Sequence, residues 1–420
     1  MKPTSTMTPN ARRPRGRARF AVTTLGVAAA SALLVAVACG HAPADTAATP
    51  QGANAPPAAD AAAALPPLRD AFKGKFQIGA AVDYKQLRGE DPRSLATAQR
   101  HFDALTPGNS LKPDFTQPAE GKFTFDDADK LVEIAQKSGA QVVGHTLVWH
   151  SQTPKWFFEG EGGNPPSREV ALARMRKHIA TVVGRYKGRI AQWDVVNEAL
   201  SDAPDEYLRP TPWLKAIGPD YIEQAFRAAH EADPKAILIY NDYNIERNYK
   251  RPKAIRLIKE LLAKKVPVHA VGIQGHWRMD DPDFAEVEAS IKEFAALGLP
   301  VMITELDIGV LPTRYRGADV NTREEMTPEM RAVLNPYTGG LPDDVAVKHA
   351  ERYREAFEMF LRNREHIDRV TLWGVEDTDS WFNNFPIRGR TDYPLLFDRQ
   401  GKPKPAFFAV RDAAIKDTLR

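Results

Sequence analysis

Short apolar runs recur through residues 68–420, separated by stretches with helical periodicity. Runs rich in β-branched and aromatic residues occupy 76–82, 102–106, 141–147, 190–196, 236–240, 268–274, 300–306 and 369–374. Each has the length and near-continuous hydrophobicity of a strand buried on both faces. Helical patterns run over 126–138, stopped by Gly139, over 167–186 ahead of Gly188, and over 219–232 ahead of the Asp233-Pro234 break. In the last of these Tyr221, Ile222, Ala225, Phe226 and Ala229 fall on one face. Further helices are predicted over 251–264, where Pro252 suits a first turn, over 282–297, closed by Gly298, and over 341–363. Alternation of strand and helix implies parallel strands with helical crossovers. Eight such units in about 350 residues favour an α/β fold of the closed (β/α)8 type, a single TIM barrel, over an open doubly wound sheet. No glycine-rich phosphate loop follows the first run, which counts against a dinucleotide-binding sheet.

Ahead of the barrel the pattern changes. Phe20 to Ala38 is an uncharged, Ala- and Val-rich run preceded by Lys2, Arg12, Arg13, Arg15, Arg17 and Arg19, the layout of a signal peptide over residues 1–38. Its many Ala and Thr residues make it weakly hydrophobic for a permanent membrane span. Cys39 is the one cysteine in the chain, so no intrachain disulfide can form. Following Ala36-Val37-Ala38, it resembles a lipoprotein cleavage box that lacks the usual Leu; ordinary cleavage at the Ala-x-Ala site is the rival reading. Residues 39–67 are Ala, Pro, Thr, Gly and Asn with almost no large side chain, a disordered linker. The formal charge of +3 also changes meaning, because the six basic residues of the leader account for more than all of it and leave −3 for the remainder. The body therefore lacks the clustered cations that nucleic-acid binding by counterion release requires.

In a TIM barrel, chemistry sits at the C-terminal ends of the strands, and there the polar residues gather. The third strand runs into His145, Trp149, His150 and Gln152; the fourth into Asn197 and Glu198; the fifth into Asn241, Asp242, Tyr243 and Asn244. The sixth ends at Gln274, His276 and Trp277, the seventh at Glu305 and Asp307, the eighth at Trp373, Glu376, Asp377 and Trp381. An isolated Asn-Glu pair is more often a helix-start carboxylate favoured by the dipole, and an isolated strand-end His or Trp is more often a packing residue. The convergence points elsewhere. Five tryptophans (149, 193, 277, 373 and 381) lie in or just after strands, where an indole can face a sugar ring while Asn, Gln and His bond its hydroxyls.

Glycoside hydrolysis needs two carboxyls flanking one bond, an acid for the leaving oxygen and a second group that attacks or activates water. Glu198 and Glu305, on strands that face each other across the barrel, could approach the separation of about 5 Å that retaining enzymes use. His145, His150 and His276 match no standard metal spacing, and no Gly-x-Ser-x-Gly elbow is present. Neither a metal nor a cofactor is expected.

Trp193-Asp194-Val195-Val196-Asn197-Glu198 and Ile303-Thr304-Glu305-Leu306-Asp307, with His145-Thr146-Leu147-Val148-Trp149-His150 and Gly272-Ile273-Gln274-Gly275-His276, resemble glycoside hydrolase family 10, the endo-β-1,4-xylanases, over roughly Leu68 to the C-terminus. The resemblance implies a retaining double displacement on xylan with Glu305 as nucleophile and Glu198 as acid/base. It implies that His276 holds the nucleophile with Asp307 behind it, and that Asn197 grips a sugar 2-hydroxyl. It further implies substrate contacts on the glycone side from Asn109, Lys112, His145, Trp149, Gln152, Gln274, Trp373 and Trp381, and stacking on the aglycone side by Tyr243. Asp194 would support from behind. The partner is then a polysaccharide, met by an exported monomer that is either secreted, periplasmic or lipid-anchored.

Two departures stand out. The family often shows Glu-Asn-Glu-Met-Lys-Trp where this chain has Gly108-Asn109-Ser110-Leu111-Lys112-Pro113, so one glycone-side carboxylate is missing. After Trp381 the common Arg is Phe382, with Arg388 or Arg390 as a replacement. The long polar loop between Leu311 and Asp343 either shapes the aglycone side or covers the rim. The rivals are a barrel glycosidase acting on cellulose or mixed-linkage glucan, and a glycan-binding surface lipoprotein without chemistry.

Overall fold

The computed structural model of the chain describes residues 66–313 and 325–418. The expected signal segment, Cys39 and all but the last two residues of the expected linker lie outside the described residues, as do 314–324 of the long polar loop.

All eight predicted strands are present. They are β1 (Gln77–Val82), β2 (Ala104–Pro107), β3 (Gln141–Val148), β4 (Gln192–Asn197), β5 (Ile237–Asp242) and β6 (Ala270–Ile273), then, after an additional short β7 (His276–Arg278), β8 (Val301–Gly309) and β9 (Ile367–Leu372). Every ladder is parallel, in the order β1 to β6, then β8, β9 and back to β1, so the sheet closes. Closure leaves no barrel edge to protect, and burial on both faces explains the near-continuous apolar runs. All residues of β4 and of β8 are buried. The unpredicted β7 is a three-residue segment drawn alongside the end of β8, which sets His276 opposite Asp307.

The predicted helices appear as Asp126–Ser138, Arg168–Arg185, Tyr221–Ala232, Arg251–Ala263, Phe284–Ala295 and Asp343–Arg362. Their ends follow local chemistry. Gly139 closes the first in a left-handed conformation, and the Ser167 side chain accepts from the Val170 amide to start the second. Among the described residues, besides short helices at Leu68–Ala71, Tyr84–Leu87, Pro113–Thr116, Pro212–Ile217 and Pro328–Leu334, two longer ones lie outside the sequence expectation, Pro92–His101 and Pro405–Thr418. The first carries a readable start, with Asp91 accepting from the Ser94 amide and Pro92 in the first turn. The second buries mostly small residues (Ala406, Phe407, Val410, Ala413 and Ala414), which blunts the apolar contrast that marks a helix.

Two of the five tryptophans expected to face sugar are core residues instead. Trp193 is fully buried with its ring over Gly144, where a Cβ would come within 2.0 Å of the indole. Trp277 is buried against Phe284 and Phe360 and donates to Glu246 Oε1 at 3.0 Å. At the N-terminal end of the strands the barrel interior is polar: buried Arg369 donates to Gln192 Oε1 at 3.0 Å and Thr371 Oγ1 at 2.6 Å, and Gln192 donates to Gln77 Oε1 at 3.2 Å. The opposite end holds the cleft. Ladder irregularities fall between His145 and Val148, between Asp194 and Val196, and between Ile303 and Leu306. Such interruptions re-aim side chains at strand ends, and here they flank His145, Glu198 and Glu305.

Candidate active site

A cleft of about 1060 Å³ opens at the C-terminal ends of the strands. Glu198 and Glu305 both line it, with Asn109, Lys112, His145, Trp149, Gln152, Asn197, Tyr243, Gln274, His276, Trp373 and Trp381. Of the strand-end residues singled out from sequence, His150, Asn241, Asp242, Glu376 and Asp377 do not line it, and Asp307 and Asp194 stand behind the wall. Each does so by holding a histidine: Asp307 Oδ1 lies 3.0 Å from His276 Nδ1, and Asp194 Oδ2 lies 2.9 Å from His145 Nδ1.

Glu198 follows the last residue of β4 with φ 59°, a left-handed conformation that disfavours any side chain bearing a Cβ. Gln152 (φ 44°) and Asn244 (φ 58°), both lining the same cleft, are also left-handed. Backbone strain concentrated in this way is characteristic of sites where geometry is held for function. The Glu198 turn is secured by its own amide, which donates to Asn241 O at 2.9 Å. Its carboxyl then receives Trp149 Nε1 on Oε2 at 2.8 Å, and Gln274 Nε2 and Asn197 Nδ2 on Oε1 at 2.9 and 3.2 Å.

Glu305 is equally buried, but its partners differ. Asn241 Nδ2 donates to Oε1 at 2.8 Å and His276 Nε2 to Oε2 at 3.2 Å. Asn241 also donates to Asn197 Oδ1 at 2.9 Å and accepts from Thr304 Oγ1 at 2.6 Å, so its amide cannot flip without losing three bonds. Room for it comes from Gly272 on β6, where a Cβ would lie 2.5 Å from Asn241 Oδ1. Asn241 stands among the strand-end residues noted in the sequence, yet nothing there distinguishes an amide that holds a carboxylate from one that holds a loop.

The two carboxyls are biased toward opposite protonation states. Burial raises the pKa of Glu198, and the Glu305 charge adds to it; the Gln274 and Trp149 bonds and the Arg209 charge only partly oppose this. Burial also acts to raise Glu305, but the His276 bond, the His145 and His276 charges and the Asn241 bond outweigh it and leave the pKa below the ordinary value. His276 is itself disfavoured as a cation by burial, yet Asp307 and Glu305 overcome that and raise it to about 10. An imidazolium at neutral pH therefore donates from both nitrogens, tying Asp307 to Glu305. Trp381 Nε1 donates to Asp307 Oδ2 at 2.9 Å and closes the chain.

On one side of the pair, Lys112 Nζ donates to Gln152 Oε1 at 2.9 Å and Asn109 Oδ1 at 3.3 Å, and Gln152 Nε2 donates to Asn109 Oδ1 at 3.0 Å. The Trp373 ring meets His145 edge-on at 5.2 Å. On the other side, Lys250 Nζ lies 3.7 Å over the ring of Tyr243, which lines the cleft. Tyr243 Oη is held by Asp202 and by Arg209 Nη2 at 2.6 Å.

Arg209 had no signal in the sequence, since it lies in an aperiodic loop. Its Nε donates to Glu198 O at 3.1 Å and its charge lowers the Glu198 pKa. Arg209→Met removes a positive charge that favours the ionised acid, so the Glu198 pKa rises. The alkaline limb of the kcat/KM profile is expected to move to higher pH, measured on a soluble aryl glycoside. A limb that stays in place or moves down contradicts this assignment.

The region after Trp381 corrects one expectation. Arg390 is buried and donates to Pro312 O at 2.8 Å, and Arg388 is exposed; neither lines the cleft. The arginines that do are Arg247 and, on β7, Arg278, the latter 4.8 Å over the Phe382 ring. Val310 to Thr313, the start of the long polar loop, also line the cleft.

The sequence model of glycosyl hydrolase family 10 matches residues 67–413. The chain is 42% identical to an endo-1,4-beta-xylanase of Geobacillus stearothermophilus, covering 82% of this chain and 98% of that one. It is also 42% identical to a beta-1,4-xylanase of Dictyoglomus thermophilum, covering 82% and 90%. Among solved structures it resembles a GH10 endoxylanase retrieved from sugarcane soil metagenome, with TM-score 0.78 and 46% identity over 82% of this chain and 99% of that one. It similarly resembles the xylanase XynB of Paenibacillus barcinonensis complexed with a conduramine derivative, with TM-score 0.74 and 39% identity over 83% and 98%.

Proposed function

The chain belongs to glycosyl hydrolase family 10, and from that premise we propose that it cleaves internal β-1,4-xylosidic bonds of xylan with retention, using Glu305 as nucleophile and Glu198 as acid/base. The observation that carries the reading is the opposite bias of two buried carboxyls at one cleft, Glu305 toward the anion and Glu198 toward the acid. Glu305 attacks the anomeric carbon as Glu198 gives its proton to the departing oxygen. The glycosyl ester neutralises Glu305, which removes one of the influences raising Glu198, and the acid becomes a base able to take a proton from water. Asn197, joined to Glu198, Gln274 and Asn241, is placed to bond the sugar 2-hydroxyl, a contact that strengthens as positive charge develops at the anomeric centre.

Trp149, Trp373 and Trp381 supply apolar faces for sugar rings and Asn109, Lys112, Gln152 and Gln274 supply hydroxyl partners, with Tyr243 stacking on the leaving-group side. Reducing-sugar release from xylan is expected to exceed that from carboxymethyl cellulose by orders of magnitude, since the hexose polymer carries an additional hydroxymethyl on each ring. Equal or greater release from the cellulose derivative would refute the assignment.

A polymeric substrate must be met outside the cell, which agrees with a leader over 1–38, a tether over 39–67 and a catalytic domain over 68–420. In the lipid-anchored form of this reading, Cys39→Ala moves the protein from the membrane fraction to the soluble one. Unchanged fractionation would leave ordinary signal-peptidase cleavage.

A further inference from the structure

The departure at Gly108 leaves the cleft without the carboxylate that sequence comparison leads one to expect there, and the structure places another carboxylate beside the gap. Asp83 follows β1, lines the cleft and is half-buried. A Cβ built on Gly108 would meet Asp83 Cγ at 3.5 Å and Oδ2 at 3.7 Å, so this carboxylate borders the space that a residue-108 side chain would enter. We propose that Asp83 is a substrate-binding residue of this cleft, accepting hydrogen bonds from the hydroxyls of the second glycone sugar in place of a residue-108 side chain. The inference rests on the cleft being a xylan-binding site.

The position of Asp83 relative to the carboxyl pair sets the subsite. Lys112 lines the cleft with Glu198, Glu305 and Asp83, and against the cost of burial its charge is favoured by Glu305, Asp83 and Glu198. From Lys112 the contacts run outward, Lys112 Nζ to Asn109 Oδ1 at 3.3 Å and Asn109 Nδ2 to Asp83 Oδ2 at 2.8 Å. Asp83 is thus reached from Lys112 through Asn109. It also has capacity to spare. Its side chain accepts from the Tyr84 amide at 2.8 Å, from the Gln86 backbone amide in the capping box and, on Oδ2, from Asn109, whereas a carboxylate offers about four acceptor sites. Sugar hydroxyls are donors that can use the remainder. Asn109, held by Asp83, Lys112 and Gln152, would share the same ring.

Gly108 does not have positive φ, so a side chain can be placed there without backbone strain. In the native chain a glutamate at 108 would set two carboxylates against each other, and each would disfavour the other's charge. With Asp83 truncated, the same glutamate would fill the vacated role. That reciprocity separates direct sugar binding from a purely structural part for Asp83 as the cap of the short helix Tyr84–Leu87.

The experiment compares kcat/KM on 4-nitrophenyl β-xylobioside, which fills two glycone subsites, with that on 4-nitrophenyl β-xyloside, which fills one. Asp83→Ala is expected to cost the xylobioside roughly ten- to hundredfold more than the xyloside, the range of a hydrogen bond to a charged group. Adding Gly108→Glu to Asp83→Ala is expected to recover at least part of that difference, while Gly108→Glu alone lowers activity on the xylobioside. Asp83→Asn keeps an oxygen for the Tyr84 amide and is expected to show the same selective loss, which serves if the alanine variant does not fold. Equal losses on the two substrates, no loss, or no recovery by Gly108→Glu overturns the assignment of Asp83. Inactivity of the wild-type protein on both substrates would instead overturn the xylanase reading itself.

Discussion

Glu305→Ala is expected to lower kcat on xylan by at least roughly 10⁴-fold, the scale of losing a covalent nucleophile. The loss is chemical, because Asn241, His276 and the rest of the wall remain to bind sugar. Truncation opens a space next to an imidazolium, which suits a small anion. With azide and an activated xylobioside, the variant is expected to form the α-glycosyl azide, since attack from the vacated face inverts the anomeric centre once. Product stereochemistry by NMR checks it. Wild-type hydrolysis, or a β-azide, would remove Glu305 from the nucleophile role.

The second large effect concerns Glu198→Ala, and it divides by leaving group. Xylan leaves as a poor alkoxide that needs the proton, so kcat/KM is expected to fall about 10²- to 10⁴-fold. A 2,4-dinitrophenyl xylobioside leaves without assistance, and its kcat/KM is expected to change by less than about tenfold because only the first step is reported. Deglycosylation still needs a base, so the glycosyl enzyme accumulates, visible as a burst of dinitrophenol and a lowered KM. Azide restores turnover and gives the β-azide. Equal losses on both substrates would mean that Glu198 binds rather than transfers a proton. The native pH profile follows from the same pair. Activity requires ionised Glu305 and protonated Glu198, so kcat/KM falls on the acid side as Glu305 protonates and on the alkaline side as Glu198 ionises.

Much of the barrel is legible in the chain because parallel strands buried on both faces must be apolar along their whole length, and helices covering them must show one apolar face. The helix Pro405–Thr418 escapes that logic, since its buried face is built largely of alanine. The same logic cannot tell a core tryptophan from a sugar platform. Trp193 and Trp149 both belong to strand-end segments, but Trp193 is committed inward by the bare backbone of Gly144, while Trp149 turns its Nε1 to Glu198. Their difference is tertiary.

By itself, the sequence determined the eight strands and six of the helices that cover them, the collection of amides, indoles and carboxyls at one end of the strands, and the two glutamates at the ends of strands that face each other. These are consequences of periodicity and chain order. The tertiary structure alone decided the protonation bias of the pair, because that depends on which donors reach each carboxyl: Asn241 and the imidazolium of His276 for Glu305, and a buried niche with neutral donors for Glu198. It also decided that Arg209, from an aperiodic loop, stands behind the acid, and that Asp83 borders the space at Gly108. Hydrogen bonds and desolvation act over a few ångströms between residues far apart in the chain, and no local pattern encodes which of them will meet.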